Sequence, residues 1–130
     1  MLHHVEIYVS DLDVTFEFWS KILARLGYRE TAFWGEGFTL SNDRDAYLTF
    51  VKVSKKHESH RYHRSGVGLN HLAFKVPGRT LVDELRQFCV ENGVPLLYDD
   101  RYPFANGDQN YYALYIEDPD RIKVEFVAAD

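Results

Sequence analysis

Three residues with metal-binding side chains lie inside segments that alternate between apolar and polar residues as strands do. They are His4, His71 and Glu125. Two neutral imidazoles and one carboxylate can hold a divalent ion and leave coordination positions open for water or substrate. Such an ion can polarise a carbonyl oxygen or lower the pKa of bound water. We therefore predict one divalent metal ion per chain, Mn, Fe, Co, Ni or Zn, bound by these three residues.

An internal repeat relates the two histidines. Segment 2–9 aligns without a gap to segment 69–76, and His71 stands 67 residues after His4. Equivalent residues of a duplicated unit occupy equivalent places in its fold, so pseudo-twofold symmetry would bring the histidines together. The alternative is that each histidine is an ordinary strand residue and that Glu125 faces solvent. That alternative leaves the alignment unexplained.

Each copy continues with a stretch of helical period and then a glycine. Gly27 and Gly93 stand where a left-handed residue ends a helix. Asp11 is a candidate N-cap for the first helix, and Thr80 with Asp83 resembles a capping box for the second. The apolar residues that recur at helical spacing are Val14, Phe18, Ile22, Leu23 and Leu26 in the first stretch and Leu81, Leu85, Phe88 and Cys89 in the second.

Strand-like sequence follows each helix, so the predicted order is βαβββ twice. The last strands of the two copies also align, which makes Thr49 the counterpart of Glu125. Polar clusters at 42–45 and 118–121 predict tight turns. The predicted strands after the helices are 28–33, 37–41 and 46–53 in the first copy and 96–98, 111–117 and 122–127 in the second.

The chain is predicted to form a single domain of the α+β class. Two tandem βαβββ modules, residues 1–53 and 69–130, would form a cup-shaped mixed sheet around the metal site, with residues 54–68 as a linker. The linker contains His57, His60 and His63, which we interpret as solvated residues rather than a second metal site. Residues 101–110 are predicted to form a long loop, a common place for functional residues.

Segments 4–12, 69–74 and 118–126 resemble the vicinal oxygen chelate superfamily. This superfamily includes glyoxalase I, methylmalonyl-CoA epimerase, fosfomycin-resistance enzymes, extradiol dioxygenases and bleomycin-resistance proteins. The resemblance implies that His4, His71 and Glu125 are the metal ligands. Glyoxalase I and the epimerase have a fourth ligand, Glu or Gln, where this chain has Thr49.

The resemblance implies a metal-dependent enzyme of glyoxalase type, a lyase, isomerase or transferase. It would chelate a small oxygen-rich substrate for isomerisation, addition or elimination. We assign catalytic roles to Glu125, as ligand and proton acceptor, and to Tyr115, whose phenol would donate to a metal-bound oxygen. Two alternatives stay open: an Fe(II) extradiol-type dioxygenase, and a metal-free binding or resistance protein.

Composition narrows the partners and the compartment. The net charge of −5 argues against a nucleic-acid binder. No apolar run approaches the length of a membrane span, and the N-terminal residues lack the pattern of a signal peptide. The single cysteine cannot form an internal disulfide, which fits a reducing compartment. We therefore predict a cytoplasmic protein without nucleic-acid or membrane partners. The resemblance to the superfamily implies a small-molecule substrate and a homodimer, since relatives of this size generally pair and the edges of an open cup favour burial.

Overall fold

The computed structural model describes residues 1–129, which divide into two compact units. The first unit spans Met1–Arg61 and the second begins at Tyr62. Each unit consists of a strand, a helix and three further strands, and each has its own four-stranded mixed sheet. The predicted α+β class and the two tandem βαβββ modules are confirmed. The predicted second module ends at Asp130, which lies outside the described residues.

The helices and strands lie close to the predicted segments. In the second unit the strand predicted at 111–117 begins only at Ala113, so Tyr111 precedes it. Short 3₁₀ turns occupy Lys55–His57 and Asp99–Arg101. The first unit contains β1 (His4–Val9), α1 (Leu12–Ala24), β2 (Arg29–Trp34), β3 (Gly37–Ser41) and β4 (Tyr47–Lys52), and the second contains β5 (His71–Val76), α2 (Arg79–Glu91), β6 (Leu96–Leu97), β7 (Ala113–Glu117) and β8 (Lys123–Ala128).

The two sheets have the same strand order and, apart from a bulge in β2 between Glu30 and Ala32, the same register. The order is β1-β4-β3-β2 in the first unit and β5-β8-β7-β6 in the second. The first and last strands of each unit pair in parallel, and the other pairs are antiparallel. His4 is paired with Tyr47, and His71 with Lys123. The repeat found in the sequence is therefore a repeat of hydrogen-bonded geometry.

The helix ends confirm three of the predicted signals and correct one. The Asp11 side chain accepts a hydrogen bond from the Val14 amide at 3.1 Å, as expected for an N-cap. Gly27 and Gly93 have φ of +81° and +68°, the left-handed conformation predicted for them. The predicted Thr80 capping box is wrong, because α2 begins at Arg79 after an extended Gly78 that makes no side-chain cap.

Each helix packs its apolar face against one face of its own sheet. In α1 the buried residues include Trp19, and the Trp19 ring lies 5.0 Å from that of Phe50. On α1 the predicted Ile22 and Leu23 are fully buried, but the predicted Val14 is 49% exposed, and the fully buried Trp19 was not among the predicted residues. On α2 the predicted Leu85 and Cys89 are buried. No helix within residues 1–129 is long and apolar enough to span a membrane.

Candidate functional site

The helix-free face of the second sheet brings together two of the three predicted ligands. β5 carries His71 at its first residue, and β8 carries Glu125 two residues beyond the partner of His71. Nε2 of His71 lies 3.1 Å from Oε1 of Glu125. Glu125 is 2% exposed, whereas His71 is half-buried. A buried carboxylate is costly unless other groups compensate its charge, so its neighbours decide what it can do.

The hydrogen bond at the other ring nitrogen of His71 indicates which nitrogen carries the proton. Nδ1 lies 2.7 Å from Oδ1 of Asn70. An amide oxygen only accepts, so Nδ1 carries the proton and Nε2 of the neutral ring carries a lone pair. This lone pair faces the Glu125 oxygen, which is also an acceptor. A proton shared by the two groups, or a metal ion between them, would make this contact favourable.

Two tyrosines accompany the buried carboxylate. The Tyr111 hydroxyl donates to Oε2 of Glu125, and this bond raises the pKa of Tyr111 well above its ordinary value. Tyr115 is the cross-strand partner of Glu125. Burial, followed by the nearby carboxylate charge, raises the pKa of Tyr115 to about 12. Both phenols therefore carry their protons at neutral pH and can act as hydrogen-bond donors.

Tyr111 belongs to a long segment, residues 98–112, that is tied to α2. The carboxylate of Asp83 accepts hydrogen bonds from the hydroxyls of Tyr102 and Tyr112, the latter at 2.6 Å. Arg86 donates two hydrogen bonds to Asp99 at 2.9 and 2.8 Å. These contacts explain why Asp83 does not cap the helix. They also hold in place the segment that carries Tyr111.

Lys123 adds a positive charge to the same face. It is the cross-strand partner of His71. Its Nζ lies 3.4 Å from the hydroxyl of Tyr98, whose ring packs edge-on against Tyr115 with centroids 5.4 Å apart. Sequence reasoning did not single out Lys123 or Tyr98. The sequence signal for Lys123 was its position two residues before Glu125, which places the Lys123 and Glu125 side chains on one face of the strand.

In the first unit, His4 is exposed on the helix-free face of its sheet. Its ring stacks on Tyr47 with centroids 4.7 Å apart and an interplanar angle of 4°. Nδ1 of His4 lies 2.8 Å from Nδ1 of His3. His3 precedes β1, so strand alternation does not separate its side chain from that of His4.

Thr49 occupies the place that Glu125 has in the second unit. Its hydroxyl lies 2.8 Å from that of Thr39, its cross-strand partner on β3, and Thr49 is 5% exposed. Glu6 of β1 is the partner of Thr49 on the other side. These residues line an open cavity of about 460 Å³, whose wall also includes Tyr47 and Trp34.

Only part of the predicted ligand set is assembled within a single unit. The second unit joins His71 and Glu125, and His4 belongs to the first. Taken one unit at a time, residues 1–129 contain no group of three or more His, Cys, Asp or Glu side chains able to hold a metal ion. His57, His60 and His63 are each exposed, and Nδ1 of His63 accepts the Ser65 amide at 3.0 Å.

Two tandem βαβββ units, each with a four-stranded mixed sheet, place the chain in a known class of folds. The model of the glyoxalase/bleomycin resistance protein/dioxygenase superfamily matches residues 1–126. The chain belongs to this superfamily, as its resemblance to the vicinal oxygen chelate proteins implied.

Two relatives resemble the chain over nearly its whole length. The uncharacterized protein YqjT of Bacillus subtilis is 46% identical over 127 residues, covering 98% of each chain. The crystal structure of a candidate glyoxalase from Bacillus halodurans is 47% identical, with a TM-score of 0.94 over 98% of this chain and 95% of that one. The fosfomycin resistance protein FosX of Listeria monocytogenes shares the fold, with 19% identity and a TM-score of 0.73 over 100% and 93% of the two chains.

Proposed function

We propose that this protein is a divalent-metal-dependent enzyme of glyoxalase type that binds a small oxygen-rich substrate. His71 and Glu125 would hold the ion together with His4. The observation that carries the proposal is the contact of 3.1 Å between Nε2 of His71 and Oε1 of the buried Glu125. Membership of the superfamily supports the assignment, since the superfamily includes glyoxalases and dioxygenases.

The donors of the second unit fit a metal ion. Two ligands that each lie about 2.1 Å from one ion, at right angles to each other, are about 3 Å apart. The separation of the His71 and Glu125 atoms matches this arrangement. Asn70 adds the usual outer contact of a metal-bound histidine, a hydrogen bond that holds the ring and leaves Nε2 for the ion.

The side chains around the pair have separate roles in the proposed reaction. When bound, the ion would polarise a substrate oxygen as a Lewis acid. Tyr111 keeps one oxygen of Glu125 occupied, which fixes the direction of the other. Tyr115 would donate a hydrogen bond to a substrate oxygen and keep its proton, and Glu125 would accept a proton from the substrate. Lys123 would orient a negatively charged or strongly polar group beside His71. The reaction class we favour is isomerisation, addition or elimination.

The test is the metal content of the purified protein and of its His71→Ala variant. We expect about one divalent ion per chain in the parent protein and close to none in the variant, because two remaining ligands hold an ion poorly against water. Asn70→Ala should weaken metal affinity by about tenfold to a hundredfold, as loss of an outer-shell partner does. Unchanged metal content in His71→Ala would exclude this site.

A matched control and a second readout make the test specific. His57→Ala removes an exposed imidazole outside both sheets and should leave the metal content unchanged. Elemental analysis of protein purified without added metal identifies the ion. Iron together with oxygen uptake on a catechol would support the extradiol dioxygenase instead, and absence of any bound metal would support a metal-free binding protein.

We also propose that the protein forms a homodimer in the cytoplasm. β1 and β2 are the edge strands of the first sheet, and their large side chains Tyr8 and Phe33 are 70% and 54% exposed. Exposed edges and apolar side chains favour association of copies. The single, buried cysteine suits a reducing compartment. A light-scattering mass of one chain at micromolar concentration would contradict the dimer.

A further inference from the structure

We infer that the substrate of the second unit is an organic anion and that Lys123 selects it. The ligand class is a small organic acid whose carboxylate is separate from the oxygens that chelate the metal. The inference rests on the proposed function and names the substrate class of that site. It follows from the place of Lys123 beside His71 and from the pairing of the nearest carboxylate in register, Glu117, with two arginines.

Lys123 lies on the same face of the sheet as the two proposed ligands of the second unit. It stands two residues before Glu125 on β8, and its cross-strand partner on β5 is His71. Neighbouring strands are about 4.8 Å apart, and a lysine has a flexible four-carbon stem. Its ammonium group can therefore reach part of a substrate that is bound beside the imidazole.

The ammonium group of Lys123 has no carboxylate partner within residues 62–129. Its Nζ lies 3.4 Å from the Tyr98 hydroxyl and 5.5 Å from the centre of the Tyr98 ring. A neutral hydroxyl and an aromatic face stabilise a cation without neutralising it. Lys123 is half-buried, and a charge that is partly removed from water favours an ion of opposite sign beside it.

The carboxylate that strand pairing brings opposite Lys123 is bonded to other groups. Glu117 on β7 is the cross-strand partner of Lys123. Opposite charges at such positions normally attract each other. However, Oε2 of Glu117 accepts a hydrogen bond from Nη1 of Arg64 and lies 3.4 Å from Nε of Arg121. The two arginines compensate the charge of Glu117, so the charge of Lys123 stays available to a ligand.

Arg64 is therefore a positioning residue that acts through Glu117. The side chains of Arg64 and Glu117 are 22% and 11% exposed, whereas that of Arg121 is 73% exposed. A shielded ion pair is screened less by salt than an exposed one, so Arg64 is the stronger partner of the two. Its Nη1 also lies 3.3 Å from the Arg121 carbonyl oxygen, which holds the guanidinium at this place.

The charges around the proposed metal also favour an anion. A divalent ion carries two positive charges and Glu125 one negative charge, so one positive charge remains before Lys123 is counted. Tyr111 and Tyr115 keep their protons at neutral pH and add no negative charge. A ligand with two chelating oxygens and one carboxylate compensates this excess, whereas a neutral ligand leaves Lys123 without a counter-ion.

The test compares charged and neutral chelators on the full chain with its bound metal. The probes are the monohydroxamates of malonic and succinic acid and the corresponding uncharged amides. The hydroxamate chelates the ion in all four, and the free carboxylate or amide is left for Lys123. We expect at least one acid to bind about tenfold or more tightly than its amide, since hydrogen bonds between charged groups are the strong ones. Isothermal titration calorimetry measures the affinities.

Variants assign the preference for the acid to particular residues. Lys123→Met should remove the preference, and Lys123→Arg should retain it. Arg64→Gln should reduce it severalfold, because Glu117 can then pair with Lys123. Adding Glu117→Gln to Arg64→Gln should restore it, a rescue that a merely structural role of Arg64 would not give. Lys56→Met is the matched control, since it removes one positive charge from an exposed position outside both sheets. Thermal unfolding confirms that each variant is folded.

The outcomes separate this inference from the metal proposal. With metal bound, equal affinity for acids and amides, or a preference that persists in Lys123→Met, would overturn the inference and leave the metal site standing. Failure of the rescue would remove Arg64 from it. If the protein binds no metal, malonate is titrated into it instead. A saturable shift of the Tyr98 amide NMR signal that is lost in Lys123→Met would support the anion site without the metal, and no such shift would overturn it.

Discussion

Apart from the bulge in β2, the two sheets have one register, but they differ in chemistry at equivalent positions. In the first unit the paired central strands oppose Thr49 to Thr39, and in the second they oppose Glu125 to Tyr115. Both pairs are tied together by polar side chains on the helix-free face. A duplicated backbone therefore supports a hydroxyl pair in one copy and a buried carboxylate with phenol partners in the other.

The positions beside this central pair also differ in charge between the two units. Beside Thr49 the first strand carries Glu6, where the second unit has Ala73 beside Glu125. Where the first unit has Tyr47 opposite its histidine, the second has Lys123. The carboxylate nearest the central pair therefore differs between the units: Glu6 is exposed in the first, and Glu125 is buried and hydrogen-bonded in the second.

The connections between strands explain part of this difference. In the first unit only Gly35 and Glu36 separate β2 from β3. In the second unit residues 98–112 separate β6 from β7 and bring Tyr111 to Glu125. The comparison teaches that the repeated strands set where a side chain can point, and that the connections decide which partners it has.

The most severe test of the comparison is removal of equivalent core rings. Phe50 and Phe126 are both 0% exposed and stand at equivalent places in β4 and β8. We expect Phe50→Ala and Phe126→Ala each to reduce the free energy of unfolding by about 3–5 kcal/mol, the usual cost of such a cavity. Urea unfolding followed by circular dichroism measures both. A large loss in one variant and none in the other would show that the two cores are not equivalent.

The next test exchanges the chemistry of the central pair. Thr49→Glu would bury a carboxylate with only Thr39 as a donor and with Glu6 opposite, so we expect a loss of about 2–3 kcal/mol in unfolding free energy. Adding Thr39→Tyr should recover part of the loss by supplying a phenol, as Tyr115 does in the second unit. Equilibrium unfolding of the single and double variants measures the recovery.

Thr39→Tyr alone is the control for this exchange. The expected exchange is contradicted if adding Thr39→Tyr to the Thr49→Glu variant raises the free energy of unfolding no more than it does in the parent protein. We also expect Thr49→Glu to slow dissociation of the proposed metal ion, because it would supply a further carboxylate ligand. Unchanged metal dissociation at matched occupancy would show that Thr49 does not reach the ion.

A smaller effect is expected from Gly37→Ala. The equivalent residue of the second unit is Ala113, which its unit accommodates with 1% exposure. In the first unit the added methyl would meet the Trp34 ring and the Phe50 carbonyl. We expect a loss of about 1–2 kcal/mol, typical of an overpacked position, and greater quenching of Trp34 by acrylamide. Gly35→Ala is the control, since no atom lies within 4 Å of a Cβ there.

Local patterns predicted most of this architecture. Alternation located the strands within one or two residues. The repeat gave His4 and Thr49 the same positions in their sheet that His71 and Glu125 have in theirs, because both patterns report backbone geometry directly. The sequence could not reveal the contact between Trp34 and Gly37 or the bond from Tyr111 to Glu125. Both depend on how a connection folds back over a sheet, which no periodicity encodes.

The capping box failed for a related reason. Thr80 and Asp83 have suitable residue types and spacing for a capping box. In the folded second unit, however, the Asp83 carboxylate accepts hydrogen bonds from the hydroxyls of Tyr102 and Tyr112. The hydrogen-bond capacity of a short polar side chain can be used locally or by a distant partner. Spacing alone does not decide between these uses.

The last and smallest expected effect concerns the ion pair that ties the long connection of the second unit to α2. Arg86 donates to both carboxylate oxygens of Asp99, and these hydrogen bonds hold the pKa of Asp99 below its ordinary value of 3.8. The first unit has only a two-residue connection at the equivalent place. A pH dependence from this pair would therefore belong to the second unit alone.

Because the pKa of Asp99 is lower in the folded protein, the unfolded chain binds the proton first as the pH falls. The stabilisation is complete above about pH 4 and is lost as the pH falls through the folded pKa. Both side chains are about one-third exposed, so we expect the pair to contribute less than about 1 kcal/mol. Asp99→Asn should be less stable than the parent protein at pH 6, and the difference should shrink toward pH 3. Urea unfolding at both pH values measures it, with Asp100→Asn as the control. A difference that is the same at both pH values would mean that Asp99 stabilises the connection without its charge.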